Sequence, residues 1–112
     1  MTVLDIIAWH KKKFPLATPE SQIKHLMQEV KEFEEAKSVD NAINELADIN
    51  IIALSLQRWK DYYDYSEDVL SLYYYCYPEN FKPVINQAVL DKVKVVDNRE
   101  YFWNGEDYDR IR

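Results

Sequence analysis

The sequence predicts an all-α protein: a bundle of about four to five helices built on an antiparallel helix hairpin. Three observations carry that expectation. Gly105 is the single glycine in 112 residues, whereas sandwiches, barrels and phosphate-binding loops place glycine at their turns. Apolar residues recur at a helical spacing through most of the chain. Two of the longest such segments are joined by only a few residues, which makes them antiparallel neighbours.

The first helix is expected over about Val3 to Phe14, with Thr2 as its cap, Pro15 ending it, and Val3, Ile6, Ile7 and Phe14 on one face. Thr18-Pro19 is a helix start, a capping hydroxyl followed by proline at the first helical position. The second helix runs from there to about Lys37, with Ile23, Leu26, Met27, Val30 and Phe33 as its apolar stripe. Ser38 or Asp40 can cap a third helix over about Asn41 to Tyr62. Its apolar residues, from Ile43 to Trp59, point all round, so it is expected to be buried. A short fourth helix is expected near Ser66, inside a tyrosine cluster that suits packing or a subunit interface. A fifth is expected from about Phe81 to Asn98. Asn104-Gly105 is a turn signal, so the last 14 residues form a short hairpin or an irregular tail.

Length predicts one domain over residues 1–112. A composition of 47% hydrophobic and 30% charged residues is globular rather than disordered. Cys76 is the only cysteine, so an intrachain disulfide and a Cys-based zinc site are excluded. The apolar run Val3 to Trp9 is too short and too polar for a signal peptide, and no 18-residue apolar run exists to span a membrane. A cytoplasmic protein is expected. The net charge of −6 argues against stable nucleic-acid binding, which is normally basic. A phosphorylated small molecule remains compatible if a metal ion or local basic residues supply positive charge. A chain this short buries a thin core, consistent with a homodimer or homotetramer.

The chemistry concentrates in four acids. Glu29 and Glu32 on the second helix, and Glu45 and Asp48 on the third, are each spaced i, i+3 and so share a face. Glu45 and Asp48 also share their face with Ile49, Ile52, Leu56 and Trp59. A buried carboxylate is costly unless it is paired or binds a metal. No Lys or Arg occurs between Ser38 and Gln57, which leaves Lys24, Lys31 and Lys37 as candidate partners. An antiparallel hairpin brings the two pairs together, where like charges raise one another's pKa unless a cation is present. Mg²⁺ fits, because it takes carboxylate oxygens at roughly 2.0–2.1 Å. An acidic pair on one helix is usually just a solvated face, as Glu34 and Glu35 are expected to be. The rival reading is accordingly a non-catalytic acidic interaction module, which would need its carboxylates exposed.

The acids lie in Gln28-Glu29-Val30-Lys31-Glu32 and Glu45-Leu46-Ala47-Asp48. This arrangement resembles the MazG-like all-α nucleotide pyrophosphohydrolases, marked by EExxE on one helix and ExxD on the next. The short dATP/dGTP pyrophosphohydrolase-like branch is the most similar. It shares Trp9-His10, Phe14-Pro15, Ala17-Thr18-Pro19, Ser21-Gln22 and His25-Leu26, then the closing series Lys94, Asn98-Arg99 and Trp103. The resemblance spans nearly the whole chain except about residues 61–89. Gln28 stands where the family often has its first Glu, and Tyr101 where the closing series often has a second basic residue.

The resemblance implies that Glu29, Glu32, Glu45 and Asp48 are catalytic and bind Mg²⁺, for which Mn²⁺ can substitute. It implies cleavage of a (d)NTP, purine deoxynucleotides being favoured, to a (d)NMP and pyrophosphate. Lys94 and Arg99 would hold phosphates, Asn98 the sugar or base. Trp9, His10, Gln22, His25 and Trp103 would contact the substrate. Read from the residues alone, Trp9, Phe14 and Trp103 suit a core better than base stacking, His10 and His25 suit surface or packing positions better than substrate contacts, and the cations also suit a helix C-terminus. An inactive family member shares the same motifs.

Overall fold

The computed structural model describes residues 2–111, and it is an all-α bundle with one small C-terminal hairpin. A 3₁₀ turn over Val3–Asp5 leads into α1 (Ile6–Lys13). Helix α2 (Pro19–Glu34) starts as expected: the Thr18 hydroxyl accepts from Ser21 N–H, and Pro19 occupies the first turn. Ser38, not Asp40, caps α3 (Val39–Ser55) by accepting from Asn41 N–H.

Helix α3 is the axis of the molecule and packs on both α2 and α5. One side of it contributes Ala47 and Ile51 to a core with Ile6, Ile85, Val89 and Val93. The other contributes Ile49 and Ala53 to a core with Leu26, Leu56, Val69 and Leu70. Burial on both sides is what its all-round apolar sequence demands. Leu26 on α2 meets Ile49 and Ala53 on α3, whereas the later Glu29 and Glu32 meet the earlier Glu45. The two helices are therefore antiparallel.

The third helix ends sooner than the sequence suggests. After Ser55 the chain tightens into 3₁₀ turns over Leu56–Arg58 and Lys60–Tyr62, with Trp59 extended at φ −112° and ψ 118°. This detour places Arg58 where it donates to the carbonyl of Phe14 at 2.9 Å. Helix α4 (Tyr63–Leu70) begins before Ser66 and continues as a π-helical turn over Ser71–Tyr75. The buried Asn50 side chain donates to the carbonyl of Tyr73 at 3.1 Å, taking up an acceptor within that widened turn. Helix α5 spans Lys82–Asp97.

Strands β1 (Tyr101–Trp103) and β2 (Tyr108–Arg110) form the antiparallel hairpin, pairing Tyr101 with Arg110 and Trp103 with Tyr108. Its turn needs Gly105, which sits at φ +101°. Asn104 Oδ1 accepts from the N–H groups of Glu106 and Asp107, each at 2.9 Å, and closes the turn. Among the described residues, no helix is long and apolar enough to cross a membrane.

Candidate metal centre and adjoining cleft

The α2–α3 hairpin brings three of the four acids together. Glu29, Glu32 and Glu45 each offer a carboxylate oxygen, and these oxygens lie within 4.8 Å of one another. Glu29 and Glu45 are partly buried, and Glu32 is the outermost. With both acids ionised, one oxygen of Glu29 and one of Glu45 (Oε2 in both) are shut off from solvent and have no hydrogen-bond partner among the described residues. Buried polar oxygens are normally satisfied, so these two are available to a cation. Hard carboxylate oxygens at this spacing suit Mg²⁺.

Electrostatics match the crowding. Glu29 is pushed up to about 9, mainly by burial, then by its hydrogen bond to Glu45 and the charges of Asp48, Glu32 and Glu45. Glu32 moves the opposite way, held below the ordinary carboxylate range chiefly by a hydrogen bond from Gln28. Gln28 Nε2 donates to Glu32 Oε1 at 3.1 Å. A glutamate at position 28 has no such proton to give when ionised. The amide therefore orients Glu32 in its charged form.

Asp48 stands beside the trio rather than within it. Burial raises its pKa, and Lys92 opposes that rise. Lys92 Nζ lies 3.5 Å from Asp48 Oδ2, with both side chains largely buried. The lysines on α2 are thus not its partners. Helical geometry explains why Lys92 is: at about 100° per residue it falls on the same face as the buried Ile85, whereas Lys94 falls opposite. Lys94 is accordingly exposed.

Next to the acids is a cleft of about 200 Å³. Its walls include Trp9, His10, Phe14, Gln22, His25, Tyr101 and Tyr108, with Glu29 and Asp48 at the end nearest the carboxylates. Six sequence-predicted site residues, Trp9, His10, Gln22, His25, Glu29 and Asp48, therefore meet in one place. The aromatic rings interlock edge to face: Phe14 is 5.0 Å from Tyr101 and 5.1 Å from Tyr108, centroid to centroid. The hairpin is held over the cleft by Tyr108, whose hydroxyl accepts from Leu16 N–H at 2.9 Å. It is also held by Asp107, with its Oδ2 2.7 Å from His25 Nε2.

Lys94, Asn98, Arg99 and Trp103 lie outside this lining. Asn98 donates to the carbonyl of Lys94 at the end of α5. The carbonyl of Arg99 accepts from Lys13 Nζ at 2.8 Å, tying the chain that leads to the hairpin down to α1. Trp103 borders a separate groove with Thr18, Ser21 and Lys24. Tyr101, a departure from the family pattern, proves to be a wall of the cleft.

His10 is buried, and its Nδ1 lies 2.8 Å from Arg58 Nη1. Burial, then the Arg58 charge, depress its pKa to about 3, opposed by a hydrogen bond with Gln22. His10 is therefore neutral at physiological pH. Neither Arg58 nor Lys92 carries a sequence signal that joins it to its partner, because both contacts cross between elements far apart in the chain. No family model, curated protein or solved structure matches the chain.

Proposed function

We propose that the chain is a MazG-like nucleoside triphosphate pyrophosphohydrolase, converting a (d)NTP and water to a (d)NMP and pyrophosphate. The observation that carries this reading is the pair of buried, unpartnered carboxylate oxygens of Glu29 and Glu45, set in an acidic cluster beside an aromatic-walled cleft. An acidic interaction module would present these groups to solvent, so their burial weighs against that rival.

Glu29, Glu32, Glu45 and Asp48 would hold Mg²⁺, or Mn²⁺ in its place. The bound ion would supply charge neutralisation at the phosphates and a lower pKa for the attacking water. The chain's own residues do the rest. The cleft is smaller than the few hundred Å³ of most small-molecule sites, so it suits the base, stacked among Trp9, Phe14, Tyr101 and Tyr108. The triphosphate then extends over the carboxylates. Lys92 offsets the charge of Asp48 beside the acids, while the resemblance gives the phosphates to Lys94 and Arg99. Water attacks the α-phosphorus, the bond to the α–β bridging oxygen breaks, and pyrophosphate leaves. A carboxylate of the cluster accepts the water's proton.

The reading carries with it a cytoplasmic location, a preference for purine deoxynucleotides and assembly as a homodimer or homotetramer. The test is pyrophosphate release from a panel of dNTPs and NTPs, with and without millimolar Mg²⁺. Mg²⁺-dependent release with monophosphate as co-product is the expected result. Absence of release from every nucleotide sinks the proposal. Light scattering in solution checks the assembly, which a monomer would refute.

A further inference from the structure

The π-helical turn Ser71–Tyr75, α3 and α5 enclose another cavity, of about 260 Å³, which shares no lining residue with the cleft. Leu54, Leu70 and Val89 give it aliphatic walls, and Tyr74 and Tyr75 aromatic ones. None of the described residues that line it is charged. A phosphate or carboxylate would meet no counter-charge there, and burying one unpaired is costly. Single π turns within helices frequently mark functional sites.

Asn50 brings a polar group of fixed sense to the cavity wall. Its side chain is buried, at 2% exposure. Nδ2 donates to the carbonyl of Leu46 at 2.8 Å and to that of Tyr73 at 3.1 Å. A carbonyl only accepts, so these two neighbours hold the nitrogen end of the amide and use both of its donors. The end left over is Oδ1, which is buried and has no hydrogen-bond partner among the described residues. Buried acceptors are normally satisfied, so an unmet one at the wall of a cavity calls for a donor.

We propose that this cavity is a second ligand site, for an uncharged, largely apolar molecule of one or two rings that carries an N–H or O–H. A cavity of ~150 Å³ already holds benzene, so this larger one admits a fused ring pair. The rings pack on the aliphatic and tyrosine walls, and the donor meets Asn50 Oδ1. The site stands apart from the nucleotide reading, because nothing charged is taken here.

Indole and benzofuran share a shape, but only indole has an N–H. Each is titrated into the full chain, and binding is read from the methyl NMR shifts of Leu54, Leu70 and Val89. Indole is expected to shift these methyls saturably and to bind on the order of 10-fold more tightly than benzofuran, which leaves Oδ1 unpaired. Asn86→Phe, which fills the cavity from α5, is expected to abolish the shifts. If that variant does not fold, the two probes on the unaltered protein decide alone. Equal affinities, no saturable shift of these methyls, or nuclear Overhauser contacts from indole to Trp9 and Phe14 instead, each overturn the proposal. All three leave the pyrophosphohydrolase reading standing, since that is decided by pyrophosphate release.

Discussion

Burial works in opposite directions on His10 and Glu29, and the two should shape the pH response of the metal-free protein. The His10 pKa falls from 6.5 to about 3. Between those values the unfolded chain binds more protons, so stability is lost as pH falls from 6.5 towards 3. Glu29 rises from 4.5 to about 9. There the folded state binds more protons, so stability is lost as pH rises from 4.5 towards 9. Thermal melts across this range should show both declines. His10→Asn should flatten the acid side, and Glu29→Gln the alkaline side. An unchanged alkaline slope in Glu29→Gln would mean that the carboxylate is not held protonated. By the same physics, Glu45→Gln should melt at the same temperature as the parent or higher without Mg²⁺, because a repelling charge is gone, and should lose turnover. A metal-free Glu45→Gln protein that unfolds would make the acid structural. The acids themselves were legible in the sequence, from i, i+3 spacing on an apolar helix. Their counter-charges were not: Lys92 reaches Asp48 only because α5 packs on α3, a tertiary fact with no local sequence trace beyond the position of Lys92 on the buried face.

The start of α2 was plain, because the capping hydroxyl of Thr18 stands in front of Pro19, whereas at α3 the sequence left Ser38 and Asp40 open as caps and at α1 Thr2 leads into a 3₁₀ turn before the α-helix. Thr18→Ala should cost about 1 kcal/mol and lower the melting temperature by about 4 °C, read by calorimetry. The end of α3 was hidden because no glycine or proline marks it. Arg58 leaves the helix to reach Phe14 and His10, a pull exerted by distant residues. The hairpin was visible as a turn signal at Asn104-Gly105, but its function as a wall was not. That placement makes Gly105 a sensitive position. Gly105→Ala forces a side chain into the left-handed region at about 1–2 kcal/mol, loosening the strands that carry Tyr101, Asp107 and Tyr108. The expected outcome is faster amide exchange over residues 101–110 and a raised KM, with little change in overall melting temperature. A KM equal to the parent's would show that the hairpin does not shape the site.

At the scale of the molecule, α3 serves two cores and one carboxylate pair at once, so stability and site geometry share a support. Ile49 is fully buried between α3 and its neighbours. Ile49→Ala should cost about 3 kcal/mol, a large share of the roughly 5–15 kcal/mol that holds a domain together. Urea unfolding should show a lower midpoint at unchanged slope; a midpoint at the parent's value would remove α3 from the centre of the energetics. The overall class was legible because scarcity of glycine and helical periodicity act on every element, whereas the cleft depends on how elements meet. The meeting point also gathers the chromophores. Trp9 lines the cleft with its indole N–H donating to Asp97 at 3.0 Å, Trp59 lies under the Arg58 guanidinium at 4.6 Å, and Trp103 abuts Tyr108 on the hairpin. All three tryptophans of the chain therefore border the same site or its supports. Intrinsic fluorescence should report the arrival of a stacking base directly, without a label and before any bond is broken.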